Sequence, residues 1–337
     1  MPSTLLASLA DLARTTARSA SADARADASV NARADARADA RAGARAGARA
    51  GARADARADV CADAEAEVLY DRHSVLVVRV GDVVVKAHQP DRDGGPLLQR
   101  RMDVSAGLPD LLLPPLGPRR EIEGRVVTVW PYATPVDPAG PLPWEDAGRL
   151  LATLHAGTVP TGAPSWGRPA RVARLVSRLE DGPAATEIRR AFATLPSWIR
   201  GETAEPADGA RCLIHGDWHL GQMVRNASGA WRLIDVEDLG VGDPAWDLAR
   251  PAALYSAGVL PPEDWERLLG AYRAAGGPAV PADGDPWPTL DVPARTLVIQ
   301  IAATCVISAR EGDRPLEEPE LALVDACRRI SIAGIPA

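Results

Sequence analysis

Lysine is almost absent from this sequence of 337 residues: Lys86 is the only lysine among its 38 basic residues, and all the others are arginine. This absence excludes a P-loop nucleotide site, because such a site needs a lysine inside a glycine-rich loop and Lys86 does not lie in one. On an arginine-rich background, a single lysine indicates a position that needs a compact point charge. Lys86 is therefore the first candidate functional residue.

Other absences narrow the class of protein. The cysteines are widely spaced and form no CxxC pair, so we expect no zinc site and instead reduced, buried thiols in a cytoplasmic protein; they are Cys61, Cys212, Cys305 and Cys327. The net charge of −7 predicts no general nucleic-acid binding. No signal peptide pattern is present, and the most apolar helical stretch, Leu297 to Ala309, is too short to cross a bilayer. We therefore expect no membrane span.

Residues 22 to about 59 consist of degenerate four-residue repeats such as ADAR and AGAR. These repeats contain no side chain that can build a core. Each glycine in AGAR also lowers helix propensity by about 1 kcal/mol relative to alanine. We predict that residues 1–60 form a low-complexity Ala/Arg/Asp tract that is disordered or weakly helical.

Outside the repeat tract, the sequence pattern changes near residue 134 from strand-rich to mostly helical. An apolar run from Leu76 to Val80, a Gly81-Asp82 turn and a second run ending at Lys86 predict a hairpin. Leu97 to Val104 predicts a short helix, and Arg125 to Trp130 predicts a further strand. From residue 144 the pattern is mostly helical; the predicted helices are Glu145–His155, Trp246–Ala257, Pro262–Ala275, Ala294–Arg310 and Glu317–Ile332. The predicted fold class is α+β, with a β-rich domain over residues 61–133 and a mostly helical domain over residues 134–337.

Two aspartates each follow an apolar, strand-like run. Asp217 follows Leu213-Ile214-His215-Gly216, Asp235 follows Leu233-Ile234, and the amide of Gln222 lies five residues after Asp217. Phosphoryl transfer on the protein-kinase plan needs one aspartate to take the hydroxyl proton, and an amide and a second aspartate to hold magnesium. A short hairpin between Gln222 and Asp235 would bring these three side chains together.

The order of the lysine strand, HGDWHLGQ and IDVED followed by GDPAWDLA resembles the aminoglycoside phosphotransferase/choline kinase-like family. Members of that family share the bilobal protein-kinase-like fold and phosphorylate hydroxyls of small molecules. The resemblance implies that Asp217 is the catalytic base and that Gln222 and Asp235 are Mg²⁺ ligands.

The same resemblance implies a nucleotide site in the β-rich domain. Lys86 would bind the α- and β-phosphates of ATP or GTP. Trp130 and Tyr132 belong to the segment whose backbone would bind the adenine. The implied partners are the nucleotide and a small-molecule hydroxyl acceptor, with no nucleic acid and no membrane.

The sequence departs from the family pattern in three places. Gln222 stands where the family usually has asparagine, and its HLGQ form resembles that of bacterial maltokinases. In the family, the lysine has a glutamate partner on the helix after its strand. No glutamate lies between Lys86 and Arg120 here, so Asp103 is the nearest carboxylate on the predicted helix. No glycine-rich loop precedes Lys86.

Three further residues are expected to have structural roles. Asp247 should accept backbone N–H bonds from the loop that holds Asp217, and His215 should brace that loop. His155, at the end of a predicted helix, should pack or cap rather than bind a ligand. The stretch from Gly240 to Ala245 fits the dinucleotide pattern GxGxxA, but Pro244 and the absence of a βαβ context argue against that reading.

These observations predict an ATP- or GTP-dependent phosphotransferase that acts on an aminoglycoside-like molecule or a sugar. The negative charge outside the repeat tract favours a cationic acceptor, whereas the HLGQ form favours a sugar. One alternative is a degenerate kinase-like protein that binds nucleotide without transferring phosphate. Another is a kinase that acts on protein or glycated lysine. A pocket beside Asp217 lined by carboxylates would favour a cationic acceptor.

Overall fold

A computed structural model of the chain describes residues 4–19, 64–72, 74–90, 95–167, 170–204, 206 and 211–333. These residues divide into two compact units. The first contains the chain up to Thr134 together with Asn226–Ser228, and the second contains Pro135–Arg225 and the chain from Gly229 onward. Most of the predicted repeat tract lies outside the described residues, because nothing between residues 19 and 64 is described.

The first unit is built on a five-stranded antiparallel sheet with the order β1-β2-β3-β5-β4. Its strands are β1 (Glu67–Arg72), β2 (Val75–Val80), β3 (Val83–Ala87), β4 (Arg120–Ile122) and β5 (Arg125–Pro131). The predicted hairpin is confirmed, since β2 and β3 pair with Val77 opposite Lys86. Buried and half-buried residues alternate along both strands, so one face of the hairpin enters a core.

Two helices belong to this unit. Residues 4–19 form helix α1, which was not predicted as a separate element. Its Leu9, Leu12 and Ala13 recur at helical spacing and are buried in one cluster with Val78 and Val85 of the sheet. The second, α2 (Pro96–Gly107), contains the predicted segment Leu97 to Val104 and begins with a proline, which suits the first turn of a helix.

The second unit is mostly helical. Its helices are α3 (Trp144–Ala156), α4 (Ala170–Ser177), α5 (Pro183–Ala193), α6 (Ala245–Ser256), α7 (Pro262–Ala274), α8 (Trp287–Glu311) and α9 (Glu318–Ala333). The predicted helices are present, although α8 is longer than predicted, and α4 and α5 were not predicted. Side chains from α4, α5, α6, α8 and α9 share one buried core.

Helix α8 corrects the predicted helix Ala294–Arg310. The prediction began after Pro293, yet the helix begins at Trp287 and contains Pro293, whose ring is buried among its neighbours. At 25 residues, α8 is long and apolar enough to cross a membrane by length and composition, so the statement that this stretch is too short was wrong. Within the fold, 56% of its apolar window is buried inside the protein, as in a core helix.

Short strands connect these helices. They are β6 (Thr134–Pro135), β7 (Cys212–Ile214), β8 (Met223–Arg225), β9 (Trp231–Leu233) and β10 (Gly240–Gly242). Strands β8 and β9 form the predicted hairpin, with Met223 opposite Leu233, and β7 pairs antiparallel with β10.

The glycines of β10 have a packing role. A Cβ on Gly240 would lie 2.8 Å from the carbonyl oxygen of Pro164, and one on Gly242 would lie 2.7 Å from the side chain of Ile214. These positions need glycine because other chain segments approach closely. The GxGxxA pattern therefore has a structural explanation here.

Candidate active site

The loop that carries Asp217 is held by one buried carboxylate. Strand β7 ends at Ile214, and the backbone N–H groups of His215 and Gly216 donate to the two oxygens of Asp247, both at 2.7 Å. Gly216 has φ +83°, and a Cβ there would lie 2.4 Å from the carbonyl oxygen of Asp238. The prediction that Asp247 accepts backbone bonds from this loop is confirmed.

Asp247 is in turn fixed from the helices around it. It is fully buried, and His155 Nε2 donates to its Oδ2 at 3.0 Å, while His155 Nδ1 lies 2.8 Å from the hydroxyl of Tyr272. Burial alone would raise the pKa of Asp247, but hydrogen bonds and charge from His155 outweigh it and lower that pKa. The carboxylate therefore stays ionised, and His155 is a buried supporting residue, as predicted.

His215 joins the two loops that carry the aspartates. Its Nε2 donates to the carbonyl oxygen of Ile234 at 2.7 Å, and its Nδ1 accepts from the backbone N–H of Asp217 at 3.4 Å. These contacts confirm the bracing role predicted for His215. They also fix the segment before Asp235 against the segment that contains Asp217.

Gln222 and Asp235 lie together at the base of the β8–β9 hairpin. The backbone N–H of Ile234 donates to the carbonyl oxygen of Gln222 at 2.9 Å, and the Gln222 amide nitrogen lies 3.4 Å from Asp235 Oδ2. Asp235 has φ +61°, a left-handed conformation that non-glycine residues seldom adopt and that often marks functional positions. The predicted amide and carboxylate are thus adjacent.

This pair suits a hard divalent cation. An amide oxygen and a carboxylate are ligands that Mg²⁺ and Ca²⁺ accept, and Mg²⁺ is commonly held by one or two protein oxygens together with phosphates and water. In the described parts of the chain, no three His, Cys, Asp or Glu side chains group as a metal cage. A site completed by nucleotide phosphates matches this sparse donor set. The amide of Gln222 would have to rotate, because its nitrogen now faces the carboxylate.

Asp217 itself is half-buried and paired. Arg250, on α6, donates from Nη2 to Asp217 Oδ1 at 2.8 Å. The neighbouring His219 is affected by the same charge: burial is the main cause that lowers its pKa to about 4, and Arg250 lowers it further. His219 is therefore neutral near pH 7, and its Nδ1 accepts from the backbone N–H of Gly221.

Arg250 was not among the predicted site residues. It follows directly after the GDPAWDLA segment. The helix that begins after Pro244 places it one turn beyond the first-turn Asp247. The positions i and i+3 of a helix share a face, so a site aspartate at position 247 could have indicated Arg250.

The predicted nucleotide residues lie in the first unit. Lys86 is half-buried on β3, opposite Thr128 of β5. Trp130 Nε1 donates to Thr128 Oγ1 at 2.9 Å, so its indole N–H already has a partner. The backbone N–H of Tyr132 donates to the carbonyl oxygen of Asp82, and the Arg79 guanidinium lies 3.4 Å from the centre of the Tyr132 ring. Asp103, the predicted nearest carboxylate, is exposed and accepts from Gln99 on its own helix.

A small recess that is partly open to solvent adjoins Asp217 in the second unit. Trp166, Trp218 and Trp246 form its apolar wall, and Arg250 and the polar residues of α8 complete it. Among the described lining residues, Asp217 is the only carboxylate. The structure therefore brings Asp217, Gln222 and Asp235 together in one unit, and Asp217 borders a recess that is partly open to solvent.

Solved structures share this fold. A thermostable mutant of the aminoglycoside phosphotransferase APH(4)-Ia matches with a TM-score of 0.57 and 13% identity, covering 81% of this chain and 96% of that one. The amicoumacin kinase hAmiN matches with a TM-score of 0.57 and 15% identity, covering 80% and 88%. The choline kinase LicA from Streptococcus pneumoniae matches with a TM-score of 0.52 and 16% identity, covering 80% and 93%.

At these identities the solved structures establish the fold, and they confirm the predicted α+β, protein-kinase-like class. No curated protein sequence matches the chain. The sequence model of the phosphotransferase enzyme family (APH) matches residues 106–287, which is just over half of the chain and includes Asp217, Gln222 and Asp235. The resemblance drawn from the sequence is confirmed, and the chain belongs to the phosphotransferase enzyme family.

Proposed function

We propose that this protein transfers the γ-phosphoryl group of ATP or GTP to a hydroxyl group of a small molecule, in the presence of Mg²⁺, in the cytoplasm. The observation that carries the proposal is the arrangement of Gln222 and Asp235. An amide and a carboxylate lie side by side, and His215 ties their loop to the loop of Asp217. This is the donor set that phosphoryl transfer on the kinase plan requires.

In the proposed reaction, Asp217 orients the acceptor hydroxyl and takes its proton. The acceptor oxygen forms a bond to the γ-phosphorus, the bond from that phosphorus to the β–γ bridging oxygen breaks, and the nucleoside diphosphate leaves. Gln222 and Asp235 would hold the divalent cation, which neutralises phosphate charge when it is bound. Asp247 and His155 keep the loop of Asp217 in place, so most of the rate enhancement would come from positioning and electrostatics.

Lys86, Trp130 and Tyr132 remain the proposed nucleotide residues. A lysine on the third strand of the sheet is where the kinase plan has its phosphate-binding lysine. The backbone N–H of Tyr132 already donates to Asp82, so the adenine would use other backbone groups of this segment. The amicoumacin kinase structure, which holds AMP-PNP and Ca²⁺, supports a nucleotide and a divalent cation as ligands of this fold.

The second candidate is a nucleotide-binding protein without transfer activity. Two observations favour it: Arg250 pairs with the proposed base, and Asp103, the nearest carboxylate on the helix after the lysine strand, accepts from Gln99. Under this candidate the Asp217–Arg250 pair is permanent and the aspartate takes no proton.

Nucleoside diphosphate release decides between the two. Purified protein is mixed with Mg-ATP or Mg-GTP and a panel of sugars, amino alcohols and aminoglycosides, with Asp217→Ala as the matched inactive variant. We expect acceptor-dependent release that the substitution lowers by about 10²- to 10⁴-fold, as for the loss of a general base. Bound nucleotide with no acceptor-dependent release would favour the second candidate.

A further inference from the structure

The recess beside Asp217 carries no net charge. The described residues that line it contribute one carboxylate, Asp217, and one guanidinium, Arg250, which pair at 2.8 Å. Each side chain is about a quarter exposed. A pocket built for a polycation would need unpaired carboxylates, and no further carboxylate lines the described part of this one.

The indole rings do not form an open cage for a cation. Trp166 and Trp246 pack against each other with ring centroids 5.0 Å apart, and Trp198 meets Trp246 edge-on. Trp218 is only 2% exposed. A cation binds over an open aromatic face, so these mutually packed rings serve as an apolar wall.

The polar groups of the recess are mainly donors. Arg250 Nε and the indole nitrogens of Trp166 and Trp218 are buried and have no hydrogen-bond partner among the described residues. Gln300 lines the recess with only 8% of its surface exposed, and its amide has no side-chain hydrogen bond within the described parts of the chain. Buried donors without partners are costly, and oxygen atoms of a ligand would satisfy those that it can reach.

We propose that Arg250 selects the acceptor: its guanidinium holds Asp217 when the pocket is empty and binds an oxygen of the acceptor when it is filled. The acceptor is then an oxygen-rich molecule of the sugar or sugar-acid type, without a cationic amine near the reacting hydroxyl. This inference rests on the proposed function, and of the two acceptor classes that the sequence suggested it favours the sugar over the cationic acceptor.

The test measures equilibrium binding, so that it does not depend on turnover. Three ligands with the same ring serve as probes: glucose, glucuronate and glucosamine, which carry a neutral, an anionic and a cationic substituent. Binding is followed by calorimetry with the full-length protein in the presence of Mg-ADP. We expect glucosamine to bind at least about tenfold more weakly than the better of the other two, because an ammonium group close to a guanidinium is repelled.

Variants of the arginine identify the cause. Arg250→Gln removes the charge and should bring the glucosamine affinity to within a few-fold of that of glucose, whereas Arg250→Lys should keep the preference. Arg295→Gln is the matched control, because Arg295 pairs with Asp291 on α8 and does not line the recess. This control should leave the preference unchanged.

Several outcomes would overturn the inference. These are equal binding of the three probes, tighter binding of glucosamine, binding of none of them, or a preference that Arg250→Gln leaves intact. Selective binding without nucleoside diphosphate release in the assay above would instead retain the pocket assignment and contradict only the proposed phosphotransferase activity. The two failures are therefore distinguishable.

Discussion

At the scale of single residues, the site depends on two unusual backbone positions. Gly216 has φ +83° directly before the proposed base, and Asp235 has φ +61° in the loop of the proposed metal ligand. A glycine adopts such a φ freely, whereas an aspartate keeps it only where the surrounding contacts enforce it. Contacts from Asp247 to the loop N–H groups and from His215 to Ile234 hold the two loops in place.

Gly216→Ala tests the first of these positions. A methyl group there would lie 2.4 Å from the carbonyl oxygen of Asp238 and 2.6 Å from the Trp166 indole nitrogen, so the backbone must move. Gly229→Ala is the matched control, because Gly229 has nearly the same φ, +82°, with nothing within 4 Å of the added carbon.

Gly229→Ala should lower the free energy of unfolding by ~1–2 kcal/mol, which is the cost of the left-handed backbone conformation alone. We expect Gly216→Ala to lower the free energy of unfolding by about 1–3 kcal/mol more than the control, which is the usual cost of overpacking. Urea denaturation measures both values. Equal losses for the two variants would show that the close packing around Gly216 contributes nothing.

At the scale of elements, one hydrogen-bonded chain joins three helices to the catalytic loop. The hydroxyl of Tyr272 on α7 accepts from the N–H of Ala279 and contacts His155 of α3, which donates to Asp247 of α6. Burial is the main cause that raises the pKa of Tyr272, so its hydroxyl keeps its proton. The loop of Asp217 is therefore fixed by buried groups on helices rather than by its own residues.

Asp247→Asn tests this chain with almost no change in volume. An amide in place of the carboxylate turns one acceptor into a donor, which then faces a backbone N–H or His155. We expect a loss of about 3–5 kcal/mol in the free energy of unfolding, as for breaking a buried charge pair. Asp243→Asn is the control: Asp243 Oδ1 accepts from the N–H of Ala245, and asparagine keeps that oxygen.

The control should cost less than about 1 kcal/mol, because the side-chain oxygen of asparagine can still accept from the N–H of Ala245. Thermal and urea unfolding provide the comparison. If Asp247→Asn were as stable as Asp243→Asn, the catalytic loop would not depend on this carboxylate.

At the scale of the whole molecule, the features that could be predicted from the sequence are those that follow from a local pattern of residues. The Lys86 hairpin follows from alternating valines around a Gly-Asp turn, and most of the helices follow from their apolar spacing. The proximity of Gln222 and Asp235 follows from a short hairpin. Each of these features is determined by neighbours in the sequence, which is why sequence patterns could indicate it.

Features that depend on distant contacts were not predicted. Helix α1 could not be distinguished in the sequence, because its leucines and alanines precede a long run of similar composition. Its burial against the sheet is what distinguishes it. Helix α8 continues through Pro293 because tertiary packing outweighs the lost hydrogen bond. The Asp217–Arg250 pair joins residues 33 positions apart, so the spacing from Asp247 could indicate Arg250 as a site residue but not Asp217 as its partner.

The most direct measurement of the central claim compares Asp217→Ala and Asp235→Ala in two assays. One is calorimetric binding of Mg-nucleotide, and the other is acceptor-dependent nucleoside diphosphate release. If Asp217 is the base and Asp235 holds the cation, the first variant should bind Mg-nucleotide like the unmodified protein and lose turnover. The second should lose the Mg²⁺-dependent part of nucleotide binding as well. Unchanged turnover in Asp217→Ala, or unchanged Mg²⁺-dependent binding in Asp235→Ala, would contradict the assignment of these residues.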